Sequence, residues 1–292
     1  MKIHAASGRV PKTLVGNRTS IGLTSAKLSR DYTIFLWLLK LGALINLYFV
    51  VSTHLIASGT SDLWIIVPAQ ILFAVSAFRC LFPVRYEHNV VFHDSALSSI
   101  FLTRLLATFS EIAWIFLFSH VLRLLNVHHV QWVDILSWLM VAQVVISQCM
   151  VWIAILSQQF EFYFYEELGW ALIFAANMTA SSYLYLTLGA PGGKKTILVL
   201  NILFGVAYLP WQIVHLAGLR AEAIRNRKKS ESGFIPMSKR LAMGLRESLR
   251  VKNIRTDAGS WGGSIGLTWM TAYWATLIPL WVNYLVVVLN RL

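Results

Sequence analysis

Residues 41–61 read LGALINLYFVVSTHLIASGTS, without one charged side chain between Lys40 and Asp62. A helix needs about 20 mostly apolar residues, each rising about 1.5 Å, to cross the hydrocarbon of a bilayer. This run meets that length alone, and it extends back to Thr33 if Lys40 snorkels to the interface. Used as a ruler, charge-free length finds six more runs. One lies between Asp62 and Arg79, with Pro68 in its first turns, and another runs from about Leu97 to Leu122, interrupted by Arg104 and Glu111. Others lie between Asp134 and Glu161, Glu167 and Lys194, and Lys195 and Arg220. The last is uncharged from Ala258 to Asn290, with its core at 268–289. The expectation is an all-α, polytopic transmembrane bundle of seven spans over 33–292. Six spans with a re-entrant second segment is the alternative, because that run is the shortest.

Composition agrees. Of the 292 residues 57% are hydrophobic and only 13% charged, against about 25% charged in soluble domains. Too few charges remain to coat a water-facing surface, which excludes disorder, a coiled coil and a basic soluble nucleic-acid binder. Two cysteines supply neither a disulfide framework nor metal-ribbon spacing.

Charge asymmetry sets the expected orientation. With the N-terminus inside, the cytoplasmic segments hold 19 of the 25 Lys and Arg residues, the outer ones 4, and Lys40 and Arg104 lie within spans. Basic residues accumulate on the cytoplasmic side, so the N-terminus is expected inside and the C-terminus outside. Residues 1–32 form a basic tail. Its first 30 residues hold no acid and seven Ser or Thr, a composition shared with organelle transit peptides. A cytoplasmic tail is the favoured reading, and transit to an organelle membrane is the alternative. The glycosylation triplet Asn17-Arg18-Thr19 carries no weight on an inside tail.

The second basic segment, 220–258, opens on Arg225-Asn226-Arg227-Lys228-Lys229. Leu241, Leu245 and Leu249 then recur at helical spacing among Lys239, Arg240, Arg246, Arg250 and Lys252. An apolar stripe beside a cationic face describes a helix lying in the headgroup plane. The expected partner of those five basic residues is anionic lipid. No nucleic-acid partner is expected.

Ionisable groups at bilayer depth are costly and usually face a cavity or a partner. Arg104 and Glu111 lie seven residues apart, close to one face of span three, about 10 Å along the axis. In span six Asn201, Gly205, Tyr208, Gln212 and His215 recur on one face, polar along most of its length. Gln143 and Ser147, Asn177 and Asn46 fall at similar depth on three other spans. Arg104, Glu111, Gln143, Asn177, Tyr208, Gln212 and His215 are therefore the candidate ligand-binding or translocation residues. Amide and hydroxyl groups also serve as packing glue between helices in lipid, and for Asn, Gln and Ser the two roles weigh equally. Glu166, with Trp170, Asn177 and Ser181, continues the same layer toward the inner turn at 158–167.

Several chemistries fail on position. The outer histidines His54, His120, His128 and His129 with Asp134 lack ligand spacing on any one helix, so no metal or cofactor is expected. The last span has no lysine for a retinal Schiff base, and no phosphate loop, GxSxG or HExxH is present. Asp94-Ser95 reads as the cap of span three. The first expectation for function is binding or translocation of a small molecule or ion through an inward-facing polar pocket centred on Glu111. A lipid-modifying enzyme using His88, His93, Asp94 and Glu166 at headgroup level is the second, and a non-catalytic subunit the third.

Overall fold

The computed structural model describes residues 31–56, 62–188, 192–230 and 236–289. The basic tail 1–30 and its transit-peptide reading lie outside them, as do the side chains of 226–230. The chain is an all-α bundle: α1 Thr33–Ile56, α2 Leu63–Leu81, α3 Ile100–Leu125, α4 Gln131–Ser157, α5 Glu161–Thr187, α6 Gly193–Ser230, α7 Met237–Arg250, α8 Gly263–Met270 and α9 Leu277–Leu289. Among the described residues six helical segments are long and apolar enough to cross a membrane: α1, α2, α3, α4, α6 and the α8–α9 stretch. This fits a multi-pass integral membrane protein. The short α2 run is one continuous 19-residue helix. The 27-residue α5 is as long as α4, but Asn177, Ser181 and Ser182 dilute its apolar character. It packs along both α4 and α6.

Burial sorts the helices. Of the most apolar window of α2 and of α3, 61% is buried inside the protein, against 33% for α1, α4 and α6. So α2 and α3 are central, and α1 turns Ile34, Leu38, Leu41, Leu44 and Leu55 outward. In lipid such side chains lose nothing by exposure, and helix association rests on close packing and interhelical hydrogen bonds. Gly42 shows the first effect: a Cβ there would sit 2.5 Å from the Ala275 Cβ, so only glycine lets α1 meet the last span. Asn46, one turn on, shows the second. Its Nδ2 donates to Gly42 O at 2.8 Å and to Trp274 O at 2.9 Å.

The last span is not one α-helix. Between α8 and α9 it passes through a π-helical turn, Thr271–Ala275, and breaks at Thr276 (φ −134°, ψ −82°). Pro279 has no N–H to give the carbonyl four residues back, while the Thr276 hydroxyl donates to Thr271 O at 2.9 Å. An uncharged run reads as a single helix because apolarity says nothing about such a break.

Span three also starts later than its apolar run. Ser95 caps a short 3-10 turn, Ala96–Ser98, and it is Ser99 that caps α3, accepting from Leu102 N at 3.3 Å. At the opposite end Asp62 caps α2, accepting from Trp64 N at 2.8 Å, and its other oxygen takes His120 Nε2 at 2.6 Å.

A three-stranded ribbon, absent from the all-helical expectation, closes the end of the bundle that carries α7. β1 (Val84–Arg85) pairs antiparallel with β2 (Val90–Val91), which pairs parallel with β3 (Asn253–Ile254). It joins the α2–α3 connection to the segment after α7. Near it, bonds from the backbone and hydroxyl of Ser260 hold the Asp257 carboxyl below the usual carboxylate range.

α7 seats Gly244 against the end of α4, where a Cβ would lie 2.1 Å from Leu156 O, and Gln158 donates to Glu247. At about 100° per residue, this contact turns Leu241, Leu245 and Leu249 to one side. Lys239, Arg246 and Arg250 lie farther round, all exposed, with Arg240 half-buried. Lys252 departs from the expected lipid-facing set: its Nζ pairs with Asp94 Oδ1 at 2.9 Å and donates to Ser95 O. It follows the helix rather than lying on its cationic face.

Candidate functional site

Arg104 and Glu111 meet. Nη2 of Arg104 lies 2.7 Å from Glu111 Oε2, with both side chains almost fully buried. Seven residues are two turns, so a fully extended arginine lying along α3 reaches the carboxylate. Gln148 of α4 closes the arrangement, accepting from Arg104 Nη2 and donating through Nε2 to Glu111 Oε2 at 2.8 Å. Glu166 of α5 lies 3.7 Å from Arg104 Nη1. A buried ion pair of this kind needs partners for its spare lone pairs and protons. Gln148 supplies one to each member, while Arg104 Nε has no protein acceptor among the described residues.

This network borders a cavity of about 450 Å³, within the range of small-molecule sites. The cavity is entered by residues from the α7 end of the bundle: Arg79, Arg85, Tyr86, Tyr163 and Glu167. It extends between α3, α5, α6 and the π turn to Trp114, Phe204 and Ile278. Its walls are largely aromatic. Trp114 meets Tyr273 edge-on with centroids 5.3 Å apart, and Tyr208 packs on Phe174 at 4.8 Å. The π turn helps place Tyr273 and Trp274 on the lining.

The α6 candidates gather on the opposite wall. Gln212 Nε2 donates to both Glu167 O (2.8 Å) and Glu167 Oε2 (2.7 Å), and His215 Nε2 lies 3.9 Å from Glu167 Oε1. Tyr208 and His215 line the cavity, whereas Gln212 sits behind them and holds Glu167.

Two candidates stand apart. Asn177 accepts from Asn201 Nδ2 at 3.4 Å, and Ser181 accepts from the same amide at 2.9 Å. That is a closed seam between α5 and α6. Gln143 lies against Gly169 of α5 and points its amide at Ser147. Neither Asn177 nor Gln143 lines the cavity. A count of depth does not see rotation about the helix axis, which took both into helix seams.

The residues of the enzymatic alternative are dispersed. Glu166 lines the cavity, while His88, His93 and Asp94 do not. His93 sits among Trp37, Phe82 and Phe92, and Asp94 is held by Lys252. Burial and the nearby Lys40 push the His93 imidazole below its ordinary pKa. At the other end His120 is taken by Asp62, and Asp134 accepts from Asn126 at 2.9 Å. Among the described residues no group of three or more His, Cys, Asp or Glu is placed to hold a metal ion.

The sequence reading missed Arg79, Tyr86 and Gln148. Arg79 counted only as an inside charge at the end of its span. Gln148 stands beside Ser147 as one more amide in the same helix, and nothing in the spacing alone ranks it above Gln143.

No protein-family model, curated protein or solved structure matches the chain. The fold and the cavity define its class, a polytopic helical membrane protein with a polar network buried beside an aromatic cavity.

Proposed function

We propose that this is a seven-span protein that binds or translocates a small molecule through the cavity, whose mouth faces the cytoplasm. The observation that carries this reading is the Arg104–Glu111–Gln148 network bordering a cavity of about 450 Å³. Ionised groups at bilayer depth persist where they serve a ligand or a path. Glu111 is the ionisable centre, Arg104 its partner, and Tyr208 and His215 the orienting groups on α6. Seven spans are supported by α5, which matches α4 in length and packs along both neighbours. The basic residues at the α7 end support a cytoplasmic mouth. The exposed cations of α7 are then placed to meet anionic headgroups.

The test compares wild-type and Glu111→Gln protein, purified in mild detergent, by untargeted lipid and metabolite mass spectrometry. Binding or proteoliposome uptake of whatever copurifies is then measured. A ligand held by wild type is expected to be lost, or weakened about ten-fold, in the variant. Undiminished retention and uptake overturns the reading.

A further inference from the structure

Arg79, at the last turn of α2, is a second buried arginine on the cavity, only 6% exposed. Unlike Arg104, it has no carboxylate within 4 Å among the described residues. Its Nη1 donates to the Tyr86 hydroxyl at 2.9 Å, its Nη2 reaches Val84 O at 3.5 Å, and its guanidinium lies between the rings of Tyr86 and Trp274 at 5.1 and 4.8 Å. Rings and neutral oxygens steady a cation but do not neutralise it, and a buried charge without a counter-ion is strongly disfavoured.

The unmatched hydrogen-bonding groups of the cavity residues point the same way. Among the described residues Arg79 Nε, Arg104 Nε and Trp114 Nε1 are buried N–H donors with no acceptor, and the Tyr273 hydroxyl is also unpartnered. The three nitrogens can only donate. The carboxylates on the lining do not supply the need: Arg104 engages Glu111 and Glu166, and Gln212 and His215 engage Glu167 on the far wall. What complements such a surface is an acceptor-rich, negatively charged group.

We propose that Arg79 is the recognition residue for the anionic head, carboxylate or phosphate, of an amphiphile. The apolar part of that amphiphile lies among Trp114, Phe174, Phe204, Trp269 and Ile278. Arginine is suited to both heads because its planar fork bonds either bidentately. The aromatic lining is what favours a chain-bearing ligand over a free anion, since such walls gain contact only from apolar surface. This assignment rests on the cavity being a ligand site, as proposed above.

Full-length protein in neutral-lipid nanodiscs is offered oleate, oleoyl lysophosphatidate, oleyl alcohol, oleylamine and inorganic phosphate, and retention is read by native mass spectrometry. Wild type is expected to hold one of the two anionic chains at least ten-fold more tightly than the alcohol, and the amine least. Arg79→Gln should bring the anions down to the level of the alcohol, while Arg79→Lys keeps a preference for anions. Ile278→Trp, which puts bulk into the buried apolar wall of the cavity, should weaken every chained probe alike at an unchanged thermal melt. A wild-type preference for alcohol or amine, or an anion preference unchanged in Arg79→Gln, overturns the role of Arg79 while the cavity reading stands. Inorganic phosphate held as well as lysophosphatidate overturns the amphiphile. Chained probes that bind wild type and Ile278→Trp equally overturn the cavity as their site. Chained probes that wild type does not hold overturn the amphiphile, while leaving a smaller ligand of the cavity to the Glu111→Gln test.

Discussion

Arg104 and Glu111 share one helix and one amide: Gln148 of α4 accepts from the guanidinium and donates to the carboxylate. The pair is therefore clamped across α3 and α4, and its three members behave as a unit.

Removing Arg104 leaves Glu111 without its cation, and removing Glu111 leaves Arg104 only Glu166 at 3.7 Å. Breaking a buried pair in this way costs about 3–5 kcal/mol. Arg104→Met and Glu111→Leu are each expected to lower stability in detergent by that order. The double variant should lose less than the sum, with a coupling of about 0.5–3 kcal/mol. Additive losses in a thermal or denaturant double-mutant cycle would show that the two residues do not act together.

At Gly42 α1 lies directly against Ala275 of the π turn. Gly42→Ala must displace backbone as well as side chain, because Ala275 Cα lies 2.9 Å from the new Cβ. Overpacking of this kind costs about 1–3 kcal/mol. A melting temperature indistinguishable from wild type would show that α1 does not seat there. Asn46→Ala, which withdraws the bond to Trp274 O, should also destabilise, by about 1 kcal/mol.

The cations of α7 divide by position. Neutralising Lys239, Arg246 and Arg250 together should weaken retention of anionic lipid, by about 1 kcal/mol per residue near the surface. Lys252→Gln should instead loosen the contact with Asp94 and leave lipid retention nearly unchanged. Native mass spectrometry of full-length protein with phosphatidylserine reads both, and equal lipid loss from the two variants contradicts this division.

His93 is expected to make stability acid-sensitive. Burial and Lys40 depress its pKa, so the unfolded chain takes up this proton first, at about pH 6.5. Stability is complete above that value and declines as pH falls toward the lower folded pKa. His93→Gln should flatten the slope of stability between about pH 7 and 5. A slope identical to that of wild type removes His93 as its source.

Much of this molecule is written in one dimension. Charge-free length marks the apolar spans, because the cost of a charge in hydrocarbon does not depend on what packs beside it. The basic excess at 220–258 and the helical spacing of Leu241, Leu245 and Leu249 likewise report an amphipathic element directly. Depth, too, is a count of residues: it sets Glu111 and Tyr208 near mid-membrane and Arg104 and His215 nearer the cytoplasmic side, and all four line the cavity.

Rotation and partnership are not written there. Gln143 and Gln148 differ by five residues on α4, yet one packs against Gly169 and the other bonds both members of the ion pair. The angle at which α4 meets α3 and α5 decides between them. The break at Thr271–Thr276, the ribbon that joins Val90 to Asn253, and the burial of Arg79 between Tyr86 and Trp274 are equally products of packing between distant segments. Local composition determined that this chain forms long apolar helices with a basic end. Only the way those helices turn toward one another decided that Arg104 meets Glu111 and that Arg79 faces the cavity with no carboxylate within 4 Å among the described residues.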